Sequence, residues 1–228
     1  MWAGVVLLAF AGACGGRSRT TGAADEGAAE SPPSAGNFTG NEVTVDTAEP
    51  EEGIGPGSGS AFFWAYGLGN WFLYTPPPNA TQKDAPIADI VPPRGDSTRA
   101  YRAMGSGQPN GADLFAQLNH PQGRALDLNS YYGIGFWAKL SGADENVTVA
   151  LSDGTQYPQD DLFRVPSVGI LLSTDWQPYE VSFAQLQTDG TKIATIDFIV
   201  GQSGGAYDLW VNDLALLCRG ACPGSAGE

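Results

Sequence analysis

Residues 176–186 (WQPYEVSFAQL), 191–200 (TKIATIDFIV) and 204–217 (GGAYDLWVNDLALL) decide the fold of this chain. Each segment is rich in β-branched and aromatic residues and is bounded by Gly, Asp or Ser, which is typical of β-strands. Apolar residues recur near period two, as they do in strands with one buried face. The three segments predict the C-terminal half of an antiparallel β-sandwich.

The alternation also predicts which side chains face the core. In residues 193–200, one face carries Thr195 and Asp197, and the other has only apolar residues, so the second is the predicted core face. The apolar sets are Trp176, Tyr179, Val181 and Phe183 in the first segment and Ala194, Ile196, Phe198 and Val200 in the second.

The rest of the chain offers further short strands and many turns. Long helical periods and internal repeats are absent from the sequence. We therefore predict an all-β, antiparallel sandwich of about ten strands. Residues 75–93 form a Pro-rich stretch without periodicity, which predicts a loop. The further predicted strands cover 61–66, 70–75, 98–104, 112–118, 131–140, 146–151 and 165–172.

The N-terminus predicts export. Residues 1–13 (MWAGVVLLAFAGA) have the length of a signal-peptide core and are too short to span a bilayer as a helix. This segment resembles a bacterial lipoprotein signal, with Ala11, Gly12 and Ala13 before Cys14. The resemblance implies lipidation of Cys14 and a membrane anchor in the cell envelope. The alternative is an ordinary cleaved signal that leaves a secreted protein.

Composition divides the mature chain into a tether, a domain and a tail. Residues 14–59 are mainly Gly, Ala, Ser, Pro, Thr and acidic residues, so we expect a disordered tether, in which 42–45 are an edge-strand candidate. The predicted sandwich covers 60–222, and 223–228 form a flexible tail. The domain is expected to be a monomer.

Charge and cysteines restrict the partners and the compartment. The formal charge is −14 without any basic patch, so nucleic acid and anionic headgroups are poor partners. Cys218 and Cys222 form C-x-x-x-C after the last strand, and a local disulfide fits an oxidising compartment. Free or metal-linked thiols are the alternative, although one His in the chain disfavours zinc.

Catalytic patterns are weak in this sequence. His120, the single histidine, lies in a polar turn, and the adjacent pairs Asp144-Glu145 and Asp160-Asp161 lie in loops without any implied geometry. Residues 201–205 match G-x-S-x-G, but that motif requires a strand-to-helix elbow. Here the pattern joins two strands, which predicts a hairpin loop. We expect no catalytic site and no enzymatic activity, and a hydrolase remains the third-ranked alternative.

Three segments carry a resemblance to a known family. The order FWAKL (136–140), TDWQPYEVSFAQL (174–186) and YDLWVNDL (207–214) is similar to galactose-binding-like jelly rolls among the carbohydrate-binding modules. The resemblance implies a jelly-roll sandwich that binds a glycan or polysaccharide. It also implies a structural calcium site, for which Asp213 matches the last-strand ligand, although no early carboxylate partner is evident.

Two tryptophans are the main ligand-binding candidates. Trp137 is out of phase with the core side of its strand, and Trp210 shares a face with Asp208 and Asn212, so both can present rings beside polar groups. The remaining candidates are Tyr101, Arg102 and Gln117.

The sequence thus predicts a non-catalytic, surface-tethered carbohydrate-binding lipoprotein. The alternative is a structural or protein-interaction lipoprotein of the envelope with the same fold. In that case Trp137 is buried and the stretch 75–93 covers its sheet.

Overall fold

The computed structural model describes residues 38, 42–46, 48–49, 70–76, 81–106, 111–118, 125–143, 146–153 and 165–222. Several predictions concern residues outside these ranges. They are the signal segment, Cys14, the strand at 61–66, His120, the pairs Asp144-Glu145 and Asp160-Asp161, and the C-terminal tail.

Twelve strands and no helix make up the regular structure of the described residues. That part of the chain accordingly holds no helix with the length and apolarity needed to cross a membrane. The strands are β1 (Glu42–Asp46), β2 (Asn70–Thr75), β3 (Thr81–Asp84), β4 (Ile87–Arg94), β5 (Ser97–Gly105), β6 (Ala112–Gln117), β7 (Tyr131–Gly142), β8 (Asn146–Ser152), β9 (Ser167–Leu171), β10 (Gln177–Ser182), β11 (Thr195–Val200) and β12 (Tyr207–Cys218).

The strands form two antiparallel sheets, which confirms the all-β sandwich. Sheet A has the order β10-β7-β12-β5-β4, with β1 also paired to β12. Sheet B has the order β3-β2-β6-β11-β8-β9. The inner faces of both sheets supply one hydrophobic cluster that includes Phe136, Phe183 and Phe198. Each such buried aromatic side chain contributes about 1.5–3 kcal/mol.

The predicted core faces of β10 and β11 are confirmed, apart from one residue. Ile196, Phe198 and Val200 of β11 and Val181 and Phe183 of the β10 segment belong to the core cluster. Trp176 does not belong to the cluster. It is an odd number of residues away from Tyr179, and side chains alternate along a strand, so it lies on the opposite side from Tyr179, Val181 and Phe183. Grouping it with those residues was wrong.

Strand β12 changes partner along its length at a bulge. Its first half, from Tyr207 to Val211, pairs with β5, and its second half, from Leu214 to Leu217, pairs with β1. Between them the register with β7 shifts, and Asp213 has a φ of 49°, a conformation rare for residues other than glycine. The bulge adds one residue to the strand, so the alternation of inward and outward side chains shifts by one residue from that point on.

Strand β1 lies inside the stretch that composition assigned to the tether. Glu42 pairs with Leu217 and Val43 with Leu216, and Val45 is fully buried. This corrects the expectation that residues 14–59 are wholly disordered, and it agrees with the edge-strand candidate at 42–45. Backbone pairing along β12 stabilises a segment with too few apolar side chains to pack alone.

Strands β3 and β4 replace the loop expected at 75–93, and that expectation was wrong. Both are edge strands, and all four residues of β3 are exposed. In β4 the pairing with β5 is interrupted between Asp89 and Arg94, which is where Pro92 and Pro93 lie. Proline has no N–H to donate and is tolerated at an unpaired edge, so its presence hid the strand.

The C-terminal connections also differ in part from expectation. Residues 201–206 link β11 of sheet B to β12 of sheet A, so they form a turn between sheets and not a hairpin. The disulfide between Cys218 and Cys222 is confirmed, with the Cα atoms 5.3 Å apart.

Candidate functional site

The outer face of sheet A, turned away from the core, carries a row of alternating aromatic and cationic side chains. We call Trp176, Lys139, Trp210 and Arg102 the outer row. Trp210 is directly opposite Lys139 of β7 on one side and Arg102 of β5 on the other. Trp176 comes just before Gln177, which pairs with Ala138, so it continues the row beside Lys139.

The members of the outer row are within contact range of each other. The Lys139 ammonium lies 5.3 Å from the ring centroid of Trp176 and 4.9 Å from that of Trp210. The Arg102 guanidinium lies 4.5 Å from the Trp210 centroid on the opposite side. The two indole centroids are 6.5 Å apart with the rings nearly perpendicular. Cation–π attraction of this kind, at half-exposed positions, contributes about 0.5–1 kcal/mol for each contact.

Arg102 is held in place by an acidic partner on β12. Its Nε donates to Asp208 Oδ1 and its Nη2 to Asp208 Oδ2, each over 2.8 Å. The hydrogen bonds from Arg102 lower the pKa of Asp208, and the same contact raises the pKa of Arg102. A two-point ion pair of this kind orients a guanidinium better than a single contact does.

A cleft of about 630 Å³ adjoins the outer row. Residues 91–94 of β4 form one wall and residues 174–178 the other, with Trp137 and Lys139 between them. Lys139 and Trp176 belong to both the cleft and the outer row. This volume is within the range of small-molecule sites, about 300–1,000 Å³.

Arg94 covers Trp137 inside the cleft. Its guanidinium lies 4.1 Å from the Trp137 centroid and 5.8 Å from the Trp176 centroid. Trp137 is only 3% exposed. The ring therefore forms part of the floor of the cleft and is not an open platform.

A buried ion pair fixes Arg94. Its Nη2 donates to Asp213 Oδ2, and Ser97 Oγ donates to the same carboxylate oxygen over 3.2 Å. The side chains of Arg94 and Asp213 are 3% and 4% exposed. Burial raises the pKa of Asp213, and the neighbouring Arg94 charge opposes that shift.

Several buried donors around the cleft lack a hydrogen-bond partner among the described residues. They include Arg94 Nε and Nη1, Trp137 Nε1 and Trp176 Nε1. Asn212, directly opposite Trp137 on β12, adds its Nδ2. All of these atoms donate, and a buried donor without an acceptor costs about 1–3 kcal/mol.

The structure places the predicted ligand-binding residues in three groups. Trp210, Arg102 and Asp208 lie half-buried on the outer face of sheet A. Trp137 and Asn212 lie on the same face but are buried. The other two, Tyr101 and Gln117, lie elsewhere.

Tyr101 is a core residue, and its assignment to the site was wrong. Its ring stacks on Trp71 with centroids 4.5 Å apart, and its hydroxyl donates to Asp46 Oδ2 over 2.7 Å. Gln117 is also removed from the site, because it ends β6 in sheet B, opposite Asn70 and Thr195. The position of a residue within its own strand does not indicate which of the two sheets that strand joins.

Three residues of the site were not predicted. Trp176 is separated by two and four residues from Pro178 and Glu180, which lie on the outer side of β10. Period-two alternation could therefore have placed it on that side. Lys139 follows from Trp137 by period two on the same strand. Arg94 carried no usable signal, since it lies at the end of a proline-rich stretch taken for a loop.

The predicted calcium site does not fit the structure. Asp213 is paired with Arg94, and a guanidinium occupies the position that a cation would take. Within the described ranges, no group of three His, Cys, Asp or Glu side chains can hold a metal ion. Calcium requires several oxygen ligands, so Asp213 serves the cleft instead.

No protein-family model and no curated protein matches the sequence. Among solved structures, the chain is similar to a family 29 carbohydrate-binding module, with 11% identity, a TM-score of 0.46 and 78% and 89% of the two chains covered. It is also similar to a family 11 carbohydrate-binding module of a cellulosomal cellulase of Clostridium thermocellum, with 14% identity, a TM-score of 0.45 and 81% and 99% covered.

A family 30 carbohydrate-binding module is similar as well, with 11% identity, a TM-score of 0.46 and 78% and 99% of the two chains covered.

Proposed function

We propose that the protein is a non-catalytic glycan-binding protein that uses the outer face of sheet A. The observation that carries the proposal is the half-buried pair Trp176 and Trp210, 6.5 Å apart beside the cleft. Indole rings combine a large apolar surface with one N–H donor. That combination suits a pyranose ring, which has apolar C–H faces and a polar edge.

The cleft supplies the polar groups that a sugar also needs. Thr174, Asp175 and Gln177 are exposed along one wall, and Lys139 lies between that wall and Trp210. Ligand sites commonly place a few polar groups on a mainly apolar lining. These side chains can exchange hydrogen bonds with hydroxyls while a tryptophan contacts the ring.

The proposal includes export and anchoring through Cys14, with the monomeric domain displayed on the outside of a membrane. Support comes from the signal-like residues 1–13 and from the disulfide between Cys218 and Cys222, which persists in oxidising compartments.

A second candidate function is protein interaction within the cell envelope. The observation in its favour is the burial of Trp137 beneath Arg94 of β4, which leaves less aromatic surface exposed for a sugar. In this case the outer row is a contact surface for a polypeptide, and Arg102, Lys139 and Trp210 are its anchors.

Affinity electrophoresis of the full-length protein through gels containing a panel of polysaccharides tests the proposal. We expect retardation by at least one polysaccharide, and a loss of about tenfold or more in affinity for Trp210→Ala or Trp176→Ala. The control is Leu171→Ala, a 66% exposed residue of β9 in sheet B, which should bind normally.

Equal retardation of all variants would place binding elsewhere and contradict the proposal. No retardation by any polysaccharide would also contradict it and would favour the protein-interaction function.

A further inference from the structure

We infer that the ligand is an acidic polysaccharide, whose carboxylate or sulfate group enters the cleft between residues 91–94 and 174–178. This inference rests on the proposed function and specifies the ligand class of the same site. It comes from the hydrogen-bonding character of the cleft and not from the rings of the outer row.

The unmatched groups of the cleft are all donors. Arg94 uses Nη2 on Asp213 and keeps Nε and Nη1 without partners, although its side chain is 97% buried. The indole nitrogens of Trp137 and Trp176 are likewise buried and unmatched. Buried donors left unmatched are costly, so a ligand that supplies acceptors here gains affinity.

An ionised acid matches this cleft better than a neutral sugar does. A carboxylate or sulfate accepts hydrogen bonds and donates none, whereas each sugar hydroxyl also carries a hydrogen that needs an acceptor. Around Arg94 the nearby acceptors are already engaged, because Asp213 bonds to Arg94 and Ser97. A neutral hydroxyl beside Arg94 would have to donate its hydrogen across the cleft, to the exposed wall that carries Asp175 and Gln177.

Lys139 is the second cationic side chain of the cleft, besides Arg94. It lies at the junction of the cleft and the outer row, and no carboxylate of the described residues is within ion-pair distance of it. Asp175 is the exposed carboxylate on the cleft wall, and its backbone N–H bonds to Ser173 Oγ. Arg102 and Arg94 are neutralised by Asp208 and Asp213, so Lys139 is the cation of the cleft lining without an ion-pair partner, and Asp175 is the corresponding carboxylate.

The charge of the whole chain makes this inference easy to test. A protein with a net charge of −14 is repelled by a polyanion in general. Association with an acidic polysaccharide therefore requires a specific site that outweighs the repulsion. A basic protein would not offer this distinction.

The experiment is calorimetric titration of the full-length protein with matched pairs of glycans. One pair is polygalacturonate fragments and their methyl esters, and another is cellohexaose and its C6-carboxyl form. Dextran sulfate and dextran make the sulfate pair. We expect the acidic member of at least one pair to bind at least tenfold more tightly than its neutral partner.

Two lysine variants separate a direct role from a structural one. Lys139→Gln should lose about tenfold in affinity for the acidic probe and little for its neutral partner, and Lys139→Arg should restore the loss in part. Lys83→Gln removes the same charge from the exposed strand β3 of sheet B and should bind as the parent does.

Each outcome decides a separate point. Binding of neutral members equal to or tighter than that of the acidic ones overturns this inference and leaves the proposed function standing. Absence of binding to every probe overturns both. A preference for dextran sulfate or for the carboxyl forms identifies the acid, and equal effects of Lys139→Gln and Lys83→Gln reject the cleft as its site.

Discussion

Arg102 of β5 and Asp208 of β12 form a two-point ion pair that lies against the face of Trp210. Two contacts of 2.8 Å join the guanidinium to the carboxylate, and the guanidinium lies 4.5 Å from the Trp210 centroid. Lys139, on the strand at the other side of β12, lies 4.9 Å from the same centroid, so Trp210 has a cationic neighbour on each flanking strand. The pair therefore holds the Arg102 guanidinium against the Trp210 ring.

Loss of this ion pair should make stability less dependent on acid pH. Asp208→Asn is expected to lower the free energy of unfolding by about 1 kcal/mol or less at pH 7. The pKa of Asp208 is lowered in the folded state. Its contribution is therefore present above the unfolded pKa, near 4, and disappears as the pH falls through the folded pKa.

Urea unfolding at pH 7 and pH 2 measures this difference. The matched control is Asp89→Asn, since Asp89 is 81% exposed and 3.7 Å from Arg99. Equal effects of the two variants at both pH values would contradict a specific role for Asp208.

Trp137→Ala should be strongly destabilising. Trp137 is 3% exposed and has the Arg94 guanidinium stacked on it, so truncation leaves a cavity beside a buried charge. We expect a loss of about 3–5 kcal/mol in the free energy of unfolding. Denaturant unfolding measures it, with Leu171→Ala as the exposed control that changes by less than about 0.5 kcal/mol. A small loss at Trp137 would mean that the ring is not packed as described.

Asp197→Asn should stabilise the protein at neutral and alkaline pH. Asp197 is 1% exposed, and burial, with a smaller effect of the neighbouring Asp113, raises its pKa well above the ordinary range. A raised folded pKa means that stability is highest below the unfolded pKa and declines as the pH rises through the folded value. The amide does not ionise, so this decline should be reduced in the variant.

Thermal unfolding between pH 4 and pH 8 tests that prediction. Asp189→Asn is the control of opposite sign, since hydrogen bonds from Thr191 lower the pKa of Asp189. If Asp197→Asn and the parent protein have parallel stability profiles, Asp197 is already ionised in the folded state at low pH.

Tyr101→Phe should weaken the attachment of β1. The Tyr101 hydroxyl donates to Asp46 Oδ2 over 2.7 Å in the buried interior, and Asp46 closes β1. Removing the donor is expected to cost about 1–3 kcal/mol in the free energy of unfolding. Tyr132→Phe, which removes an exposed 3.3 Å contact to Glu180, is the matched control. Amide hydrogen exchange in β1 should accelerate in Tyr101→Phe. Unchanged exchange would show that this hydrogen bond does not hold β1 in place.

Period-two alternation predicted much of the fold, because each buried strand has one apolar face. It placed Ile196 and Phe198 in the core, and it placed Trp137 and Trp210 on the outer side of sheet A. The alternation fails at Asp213, where the bulge inserts a residue into β12. No local feature of the sequence separates an outer residue that is exposed, such as Trp210, from one that another strand covers, such as Trp137.

The cleft could not be predicted for a related reason. The cleft depends on Arg94. The position of Arg94 is set by its ion pair with Asp213, which lies 119 positions later in the chain. Because Pro92 and Pro93 come just before Arg94, the sequence pattern indicated a loop there and not strand β4. Long-range ion pairs of this kind have no signature in spacing or composition, whereas a buried strand does.

Strand β1 has a practical consequence for work with shortened forms of the protein. It pairs with the half of β12 that β5 does not reach, from Leu214 to Leu217. A polypeptide that starts after Asp46 would present those backbone groups as an open edge, which recruits strands from other molecules and promotes aggregation. A soluble fragment should therefore retain Glu42, and self-association of a shorter one would reveal nothing about the natural oligomeric state.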